Sequence, residues 1–263
     1  GILVDWIEFR LAMICLSALT ALGLMRVLWG VPETKTPSDL STGFELERSA
    51  SFIDRVRSRT GNFHLWLSFL LYAFTRFTGD GILLSTFALL LKQRLGEMIL
   101  IGDQRIGVAT LSGIVMAVYS LLAGFSGGPA GKMADGKWGR VGVIQIQLGL
   151  GIIGFILLGF IQPIWGLMAG LWISAISSGG VVAALTAYMG DQTSPQEQGI
   201  WMGLFSTAGD IGSMAGPVFA LSLASSGQLE TVYLISIGIY LLGLAMTLAG
   251  VKLPPAIPAE PIR

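Results

Sequence analysis

Long apolar runs dominate the hydropathy pattern of the chain. A spanning helix needs roughly 20 mainly apolar residues, because the hydrocarbon layer is about 30 Å thick and a helix rises about 1.5 Å per residue. The runs are continuous rather than short and alternating, as they would be in a membrane barrel. They occupy residues 10–30, 64–91, 106–127, 140–162, 164–189, 199–225 and 230–251. The pattern therefore predicts an all-α, polytopic transmembrane helix bundle with about seven spans.

Composition supports a membrane protein and narrows the chemistry. Hydrophobic residues make up 53% of the 263 residues and charged residues 12%, whereas soluble domains carry about 25% charged residues. The 36 glycines indicate close helix contacts in lipid. Cys15 is the single cysteine and His64 the single histidine, and basic patches are absent. We therefore expect a lipid bilayer as partner, and no nucleic acid, no metal and no cofactor.

One long polar stretch separates the first apolar run from the other six. The expected organisation is one spanning helix in residues 1–30, a cytoplasmic loop in 31–63, a six-helix bundle in 64–251 and a cytoplasmic tail in 252–263. This orientation follows the positive-inside rule. The cytoplasmic side would hold Lys35, Arg48, Arg55, Arg57, Arg59, Lys132, Lys137, Arg140, Lys252 and Arg263, and the opposite side Arg10, Lys92, Arg94 and Arg105. The predicted location is the cell (plasma or inner) membrane.

A motif of glycines and charges follows the third run. Gly131, Asp135, Lys137, Gly139 and Arg140 stand in a segment that we interpret as a turn. It resembles the signature loop of the major facilitator superfamily, in which a glycine, three residues, an aspartate, a short basic stretch and Gly-Arg join two helices on the cytoplasmic side. This chain has three residues between Asp135 and Gly139 where the usual pattern has two. The resemblance implies that Asp135 latches two bundles by docking on a helix N-terminus; the alternative is a merely polar turn.

The sixth run carries a second resemblance. Gly203, Gly212 and the Gly216-Pro217 pair stand at the spacing of the superfamily's glycine-and-proline helix motif, often called the antiporter motif. Gly209, Gly212 and Gly216 share one flank of the helix, where another backbone can approach closely. We expect that flank to meet a bundle that this chain lacks, although glycines of this kind are often only packing residues.

The first run provides a third match. Asp5 to Arg10, a following apolar helix and then Val31-Pro32-Glu33-Thr34 resemble the superfamily's sixth helix. Gly1 is not an initiator methionine, and the residues after it do not form a signal peptide. The resemblances place the chain as helices six to twelve of a twelve-helix transporter, and they imply that the partner of this half is the missing N-terminal helix bundle.

Two opposite charges lie in the middle of the second run. Arg76 and Asp80 are four residues apart, so they share a helix face and can neutralise each other; Tyr72 and Phe87 extend the same stripe. Ionisable groups at this depth are costly and commonly mark substrate or proton paths. We predict that Arg76, Asp80 and Tyr72 belong to a coupling or substrate site. A structural ion pair within one helix is an equally weighted alternative.

Asp210, in the sixth run, is predicted to be a second buried acid, with Ser206 and Ser213 on its face. Such a carboxylate would either titrate with proton transport or pair with a cation such as Arg76. Softer signals are Ser174, Ser177 and Ser178 in the fifth run, which could line a cavity but more often mediate packing.

The sequence favours secondary active transport of a small solute, by alternating access, coupled to protons or another ion and with efflux or antiport as an option. No Ser-His-Asp or Cys-His constellation is evident, so an intramembrane enzyme is a poor alternative. A scaffold or sensor without transport stays open. Substrate identity does not follow from the fold.

Overall fold

The computed structural model describes residues 9–30, 63–96, 98–101, 104–161, 163–194 and 197–249. The chain divides into two compact units, Gly1–Phe63 and His64–Arg263. The predicted loop at 31–62, its Pro-Glu-Thr motif, the stretch before residue 9 and the tail from residue 250 lie outside the described residues.

Helices account for nearly all of the described chain. The first unit contains α1 (Phe9–Gly30). In the second unit, α2 (Phe63–Arg76) continues through a π-helical segment (Phe77–Leu83) into α3 (Leu84–Leu95). The remaining helices are α4 (Val108–Asp135), α5 (Gly139–Phe160), α6 (Ile164–Gln192), α7 (Gln198–Ser225) and α8 (Leu229–Leu248). The all-α polytopic fold predicted from the sequence is confirmed.

Six helical stretches of the described chain are long and apolar enough to cross a membrane. The span Phe63–Leu95, built from α2, the π-helical segment and α3, is the longest of them, with 33 residues. α7 is not one of the six, although its 28 residues would reach about 42 Å. Its glycines, hydroxyl residues and Asp210 lower its mean hydropathy. A membrane helix can have a low mean hydropathy when neighbouring helices cover part of its surface.

α6 packs extensively against both α4 and α5, while α7 packs on the π-helical segment and α8 on α5. The interior of the bundle is filled by large side chains that are almost fully buried, among them Phe87, Phe155, Leu171, Trp201 and Tyr233. This arrangement gathers the middle of the Phe63–Leu95 span, α4, α6 and α7 around one polar region.

A short hairpin joins α3 to α4. Its strands are β1 (Met98–Ile101) and β2 (Gln104–Gly107), antiparallel, with Ile99 opposite Ile106. The prediction that the third helix starts at 106 was therefore too early by two residues. Apolar residues that flank a Gly-Asp pair suit a two-residue hairpin as well as a helix end.

Arg94 fastens the end of α3 to the end of α5. Its guanidinium donates to the carbonyl oxygens of Leu158 (3.2 Å), Gly159 (2.9 Å) and Ile161. Carbonyls in the last turn of a helix have no partner within the helix. A cation at that end also interacts favourably with the helix dipole, so Arg94 stabilises the contact between the ends of α3 and α5.

Candidate functional site

The Arg76–Asp80 ion pair lies in the middle of the longest span. Arg76 is the last residue of α2, about 20 Å along the axis from Phe63. One of its terminal nitrogens pairs with an Asp80 carboxylate oxygen, as the four-residue spacing predicted, and the side chains are 32% and 25% exposed. The pair is thus half-buried rather than sealed in the core.

The helix changes its winding at this pair. Residues Phe77–Leu83 form a π-helical segment, and the Leu84 N–H bonds to the Gly79 carbonyl five residues back. Segments of this kind are rare and frequent at functional sites. The change also shifts the register of the residues that follow. Phe87, predicted to continue the stripe of Arg76 and Asp80, lies beyond this segment and is fully buried.

Aromatic rings hold Arg76 from one side. The Tyr72 ring lies 5.9 Å from the guanidinium carbon of Arg76, a distance at which the cation is attracted to the ring face. Tyr72 in turn stacks on Phe205 of α7, with 4.1 Å between ring centroids. Sequence reasoning identified Tyr72 and missed Phe205, because a lone phenylalanine in an apolar helix carries no sign of its partner.

Two hydroxyl side chains from other helices approach the same region. A Cβ placed on Gly79 would lie 3.2 Å from the Ser178 Oγ and 3.5 Å from the Tyr119 Oη. Tyr119, on α4, is 3% exposed and interacts electrostatically with both Asp80 and Arg76. Tyr119 was not predicted from the sequence, because α4 is apolar around much of its surface and the pattern does not show which face turns inward.

The other serines of α6 serve packing. Ser177 donates to the Gln147 carbonyl of α5 (2.6 Å), and a Cβ on Gly154 would lie 2.3 Å from the Ser174 Oγ. These small residues let α5 and α6 approach closely. Of the three serines named from the sequence, only Ser178 lies beside Gly79.

The glycine flank of α7 contacts the Phe63–Leu95 span. A Cβ on Gly209 would lie 2.2 Å from the Tyr72 ring, one on Gly212 2.3 Å from the Ala73 carbonyl oxygen, and one on Gly216 2.5 Å from the Gly81 Cα. The expectation that this flank meets a bundle outside the chain was wrong, because the close approach occurs inside the bundle. Gly203 has open space around it.

Asp210 lies on the opposite side of α7. It is exposed, as is Ser206, while Ser213 is half-buried and donates to the Asp210 carbonyl. The prediction that Asp210 is a buried acid was therefore wrong for this bundle, and the ion pair formed by Arg76 is with Asp80. Both errors have one cause: the glycine flank fixes which side of α7 turns inward, and Asp210 is on the other side.

The motif after the third run is mostly helical. α4 continues to Asp135 with Pro129 inside it, so Gly131 and Asp135 belong to the helix and the turn is confined to residues 136–138. The interpretation of the whole motif as a turn was wrong, because a helix can extend beyond the apolar core. Lys137 lies in the turn, near the Trp138 ring. Gly139 adopts φ +65°, a conformation that favours glycine.

Arg140 links two acids at this end of the bundle. It pairs with Asp135 (2.5 Å) and, through Nε, with Asp191 at the end of α6 (3.0 Å). The structure therefore pairs Asp135 with Arg140 of its own motif. Asp191 was missed, since no local spacing connects it to Arg140.

The two acids are expected to differ in their effect on stability. Asp135 is 66% exposed and Asp191 32%, and exposed ion pairs contribute little. We expect Asp191→Asn to cost about 1 kcal/mol and Asp135→Asn less than half as much. Thermal unfolding of the purified variants in detergent measures this. Equal losses of stability in the two variants would show that the Arg140–Asp191 pair stabilises the bundle no more than the Arg140–Asp135 pair.

The fold and this site define a polytopic helical bundle of the kind found in membrane transporters. Residues 69–262 match the Major Facilitator Superfamily. The chain belongs to that superfamily and is a multi-pass membrane protein.

The sequence relatives are named multidrug resistance proteins. The chain is 29% identical over 141 residues to the multidrug resistance protein MdtG of Escherichia fergusonii, covering 54% of this chain and 34% of that protein. It is 27% identical over 136 residues to MdtG of Yersinia enterocolitica, covering 52% and 32%. The chain thus spans about a third of the length of the curated relatives that it matches.

Solved structures show the same fold in peptide transporters. The peptide transporter POT (E310Q mutant) in complex with sulfate superposes with a TM-score of 0.62 at 17% identity, over 73% of this chain and 39% of that one. A POT family transporter in complex with 5-aminolevulinic acid gives a TM-score of 0.63 at 20% identity, over 73% and 39%.

Proposed function

We propose that this chain is the C-terminal part of a secondary active transporter that moves a small solute across the cell membrane by alternating access, coupled to protons or another ion. The observation that carries the proposal is the Arg76–Asp80 pair, half-buried in the middle of a span. Charges at that depth are expensive and are commonly retained for transport. Superfamily membership supplies the architecture, in which two bundles rock about a midplane site.

Arg76, Asp80 and Tyr72 are the proposed coupling or substrate residues. Two side chains of opposite charge, one helical turn apart, can form and break their ion pair as a solute or proton arrives, without covalent chemistry. The Nε atom of Arg76 is buried without a hydrogen-bond partner, so the site has a donor in reserve for an acceptor oxygen. The name of the sequence relatives favours a lipophilic, drug-like solute and an efflux direction.

A second bundle is proposed to cover the exposed side of α7. Asp210 lies there among exposed apolar side chains, including Ile211, Met214 and Val218. A carboxylate in the middle of a helix is costly against lipid, whereas a partner bundle can offer it a cation or a wet interface. Asp210, Ser206 and Ser213 therefore stay candidates for coupling at that interface. The proposed orientation has the central loop, the Asp135–Arg140 motif and the C-terminus in the cytoplasm.

Transport is tested with the complete protein in proteoliposomes. We expect uptake or release of ethidium, a lipophilic cationic dye, to accelerate when a pH gradient is imposed and to return to the level of empty liposomes after a protonophore. Flux that does not respond to the gradient would contradict proton coupling. Absence of flux for this dye and for a panel of drug-like solutes would favour a scaffold or sensor.

A further inference from the structure

Tyr119 carries a buried hydroxyl group that takes no part in the Arg76–Asp80 ion pair. Its oxygen is buried and makes no hydrogen bond of normal geometry, although the Ser178 hydroxyl lies close enough to interact with it. Leaving a buried hydroxyl unpaired is unfavourable, and most buried polar groups have a hydrogen-bond partner in the protein or in ordered water.

The backbone of the π-helical segment brings Asp80 close to that hydroxyl. The Tyr119 Oη lies 3.5 Å from the position of a Cβ on Gly79, the residue directly before Asp80. Because Gly79 has no side chain, the Tyr119 hydroxyl can lie close to the backbone of this part of the segment. The electrostatic interaction of Tyr119 with Asp80 and Arg76 places all three in one cluster.

We propose that Tyr119 is the second hydrogen-bond partner of Asp80, donating its hydroxyl to the Asp80 carboxyl group when Arg76 releases it. In the state described here Arg76 holds the carboxylate. When Asp80 takes a proton from the aqueous side, the carboxyl becomes neutral and the attraction to Arg76 ends. The Tyr119 hydroxyl then donates to the carbonyl oxygen of the acid. Tyr119 is thus a positioning residue for the coupling acid, and the inference rests on the proposed function of Asp80.

Among the described hydroxyl groups around Asp80, that of Tyr119 is the buried one without a hydrogen bond. On its own span the titratable groups that lie near it are Arg76 and, across the Arg76 guanidinium, Tyr72. α8 contributes Tyr240, which also interacts electrostatically with Asp80, but its hydroxyl is within hydrogen-bonding reach of Thr78 and Ser177. α6 contributes the Ser178 hydroxyl. The flank of α7 that packs here is built of glycines, with Asp210 on the exposed side.

Infrared difference spectroscopy on the purified complete protein tests this directly. Acidification should produce a carboxylic acid C=O band that is absent from Asp80→Asn. In Tyr119→Phe, which removes only the hydroxyl, the band should move to higher wavenumber, since a hydrogen bond to a C=O group lowers its stretching frequency. A band unchanged in Tyr119→Phe, or no band that depends on Asp80, would overturn the inference.

Tyr233→Phe is the matched control. The Tyr233 hydroxyl bonds to the Thr86 hydroxyl (3.1 Å), outside this cluster. We expect Tyr233→Phe to lower the unfolding temperature and leave the band in place. Tyr119→Phe should move the band and leave the unfolding temperature unchanged. Flux measured separately distinguishes the two proposals. A band shift without transport would refute the transport function and support the Tyr119–Asp80 hydrogen bond. Transport without a band shift would support the transport function and refute that hydrogen bond.

Discussion

Replacing Gly216 by alanine is expected to lower the thermal unfolding midpoint of the complete protein by several degrees, although the change adds a single methyl group. The new Cβ would lie 2.5 Å from the Gly81 Cα and 2.5 Å from the Phe77 carbonyl oxygen. These are backbone atoms, so α7 itself has to move away. Overpacking of this kind costs about 1–3 kcal/mol, more than the roughly 1 kcal/mol that alanine gains over glycine in a helix.

Gly203→Ala provides the control on the same helix. Nothing lies within 4 Å of the Cβ position there, so the gain in helix propensity is unopposed and the midpoint should stay level or rise. Gly212→Ala, which would meet the Ala73 carbonyl at 2.3 Å, should behave like Gly216→Ala. If Gly216→Ala and Gly203→Ala unfold at the same temperature, the close contact between α7 and the π-helical segment is wrong.

Neutralising both members of the ion pair is expected to preserve the fold and abolish transport driven by a pH gradient. Either single change, Arg76→Gln or Asp80→Asn, removes the partner of a half-buried charge. Arg76→Gln leaves a carboxylate and Asp80→Asn a guanidinium, each at a cost of up to about 3 kcal/mol. The double variant leaves no charge behind, so its unfolding temperature should recover most of either single loss. Its flux in proteoliposomes should stay at the level of empty liposomes.

The exchanged pair, Arg76→Asp with Asp80→Arg, separates the two interpretations of these residues. It keeps one positive and one negative charge on the same face of the span and should be stable. If the pair were purely structural, both the exchanged variant and the neutral double variant would transport. Wild-type flux from the double neutral variant would therefore refute a coupling role for Arg76 and Asp80.

Spans and the ion pair could be predicted because they depend on local sequence. An apolar run sets the depth of a helix, and a spacing of four residues puts Arg76 and Asp80 on one face whatever surrounds them. The helix ends were less predictable. α4 runs on to Asp135 because hydrogen bonding, rather than hydropathy, decides where a helix stops, and the apolar run had ended about two turns earlier.

Contacts between helices could not be predicted from one helix at a time. The glycine flank of α7 was identified, but its partner was not, and the burial of Asp210 was wrong as a result. Tyr119 and Asp191 were missed for the same reason: each reaches its neighbours across a helix interface, and nothing in the local pattern records which face turns inward. The π-helical segment added a register shift that an α-helical wheel does not contain.

That segment also has a mechanical consequence. An α-helix behaves as a stiff rod because every turn is clamped to the next by bonds of one length. The winding between Phe77 and Leu83 breaks that uniformity, so we expect a lower torsional stiffness at the level of Asp80. A twist applied at the Tyr72 end should then be taken up at this segment before it reaches Phe87, so that the two halves of one span could turn separately.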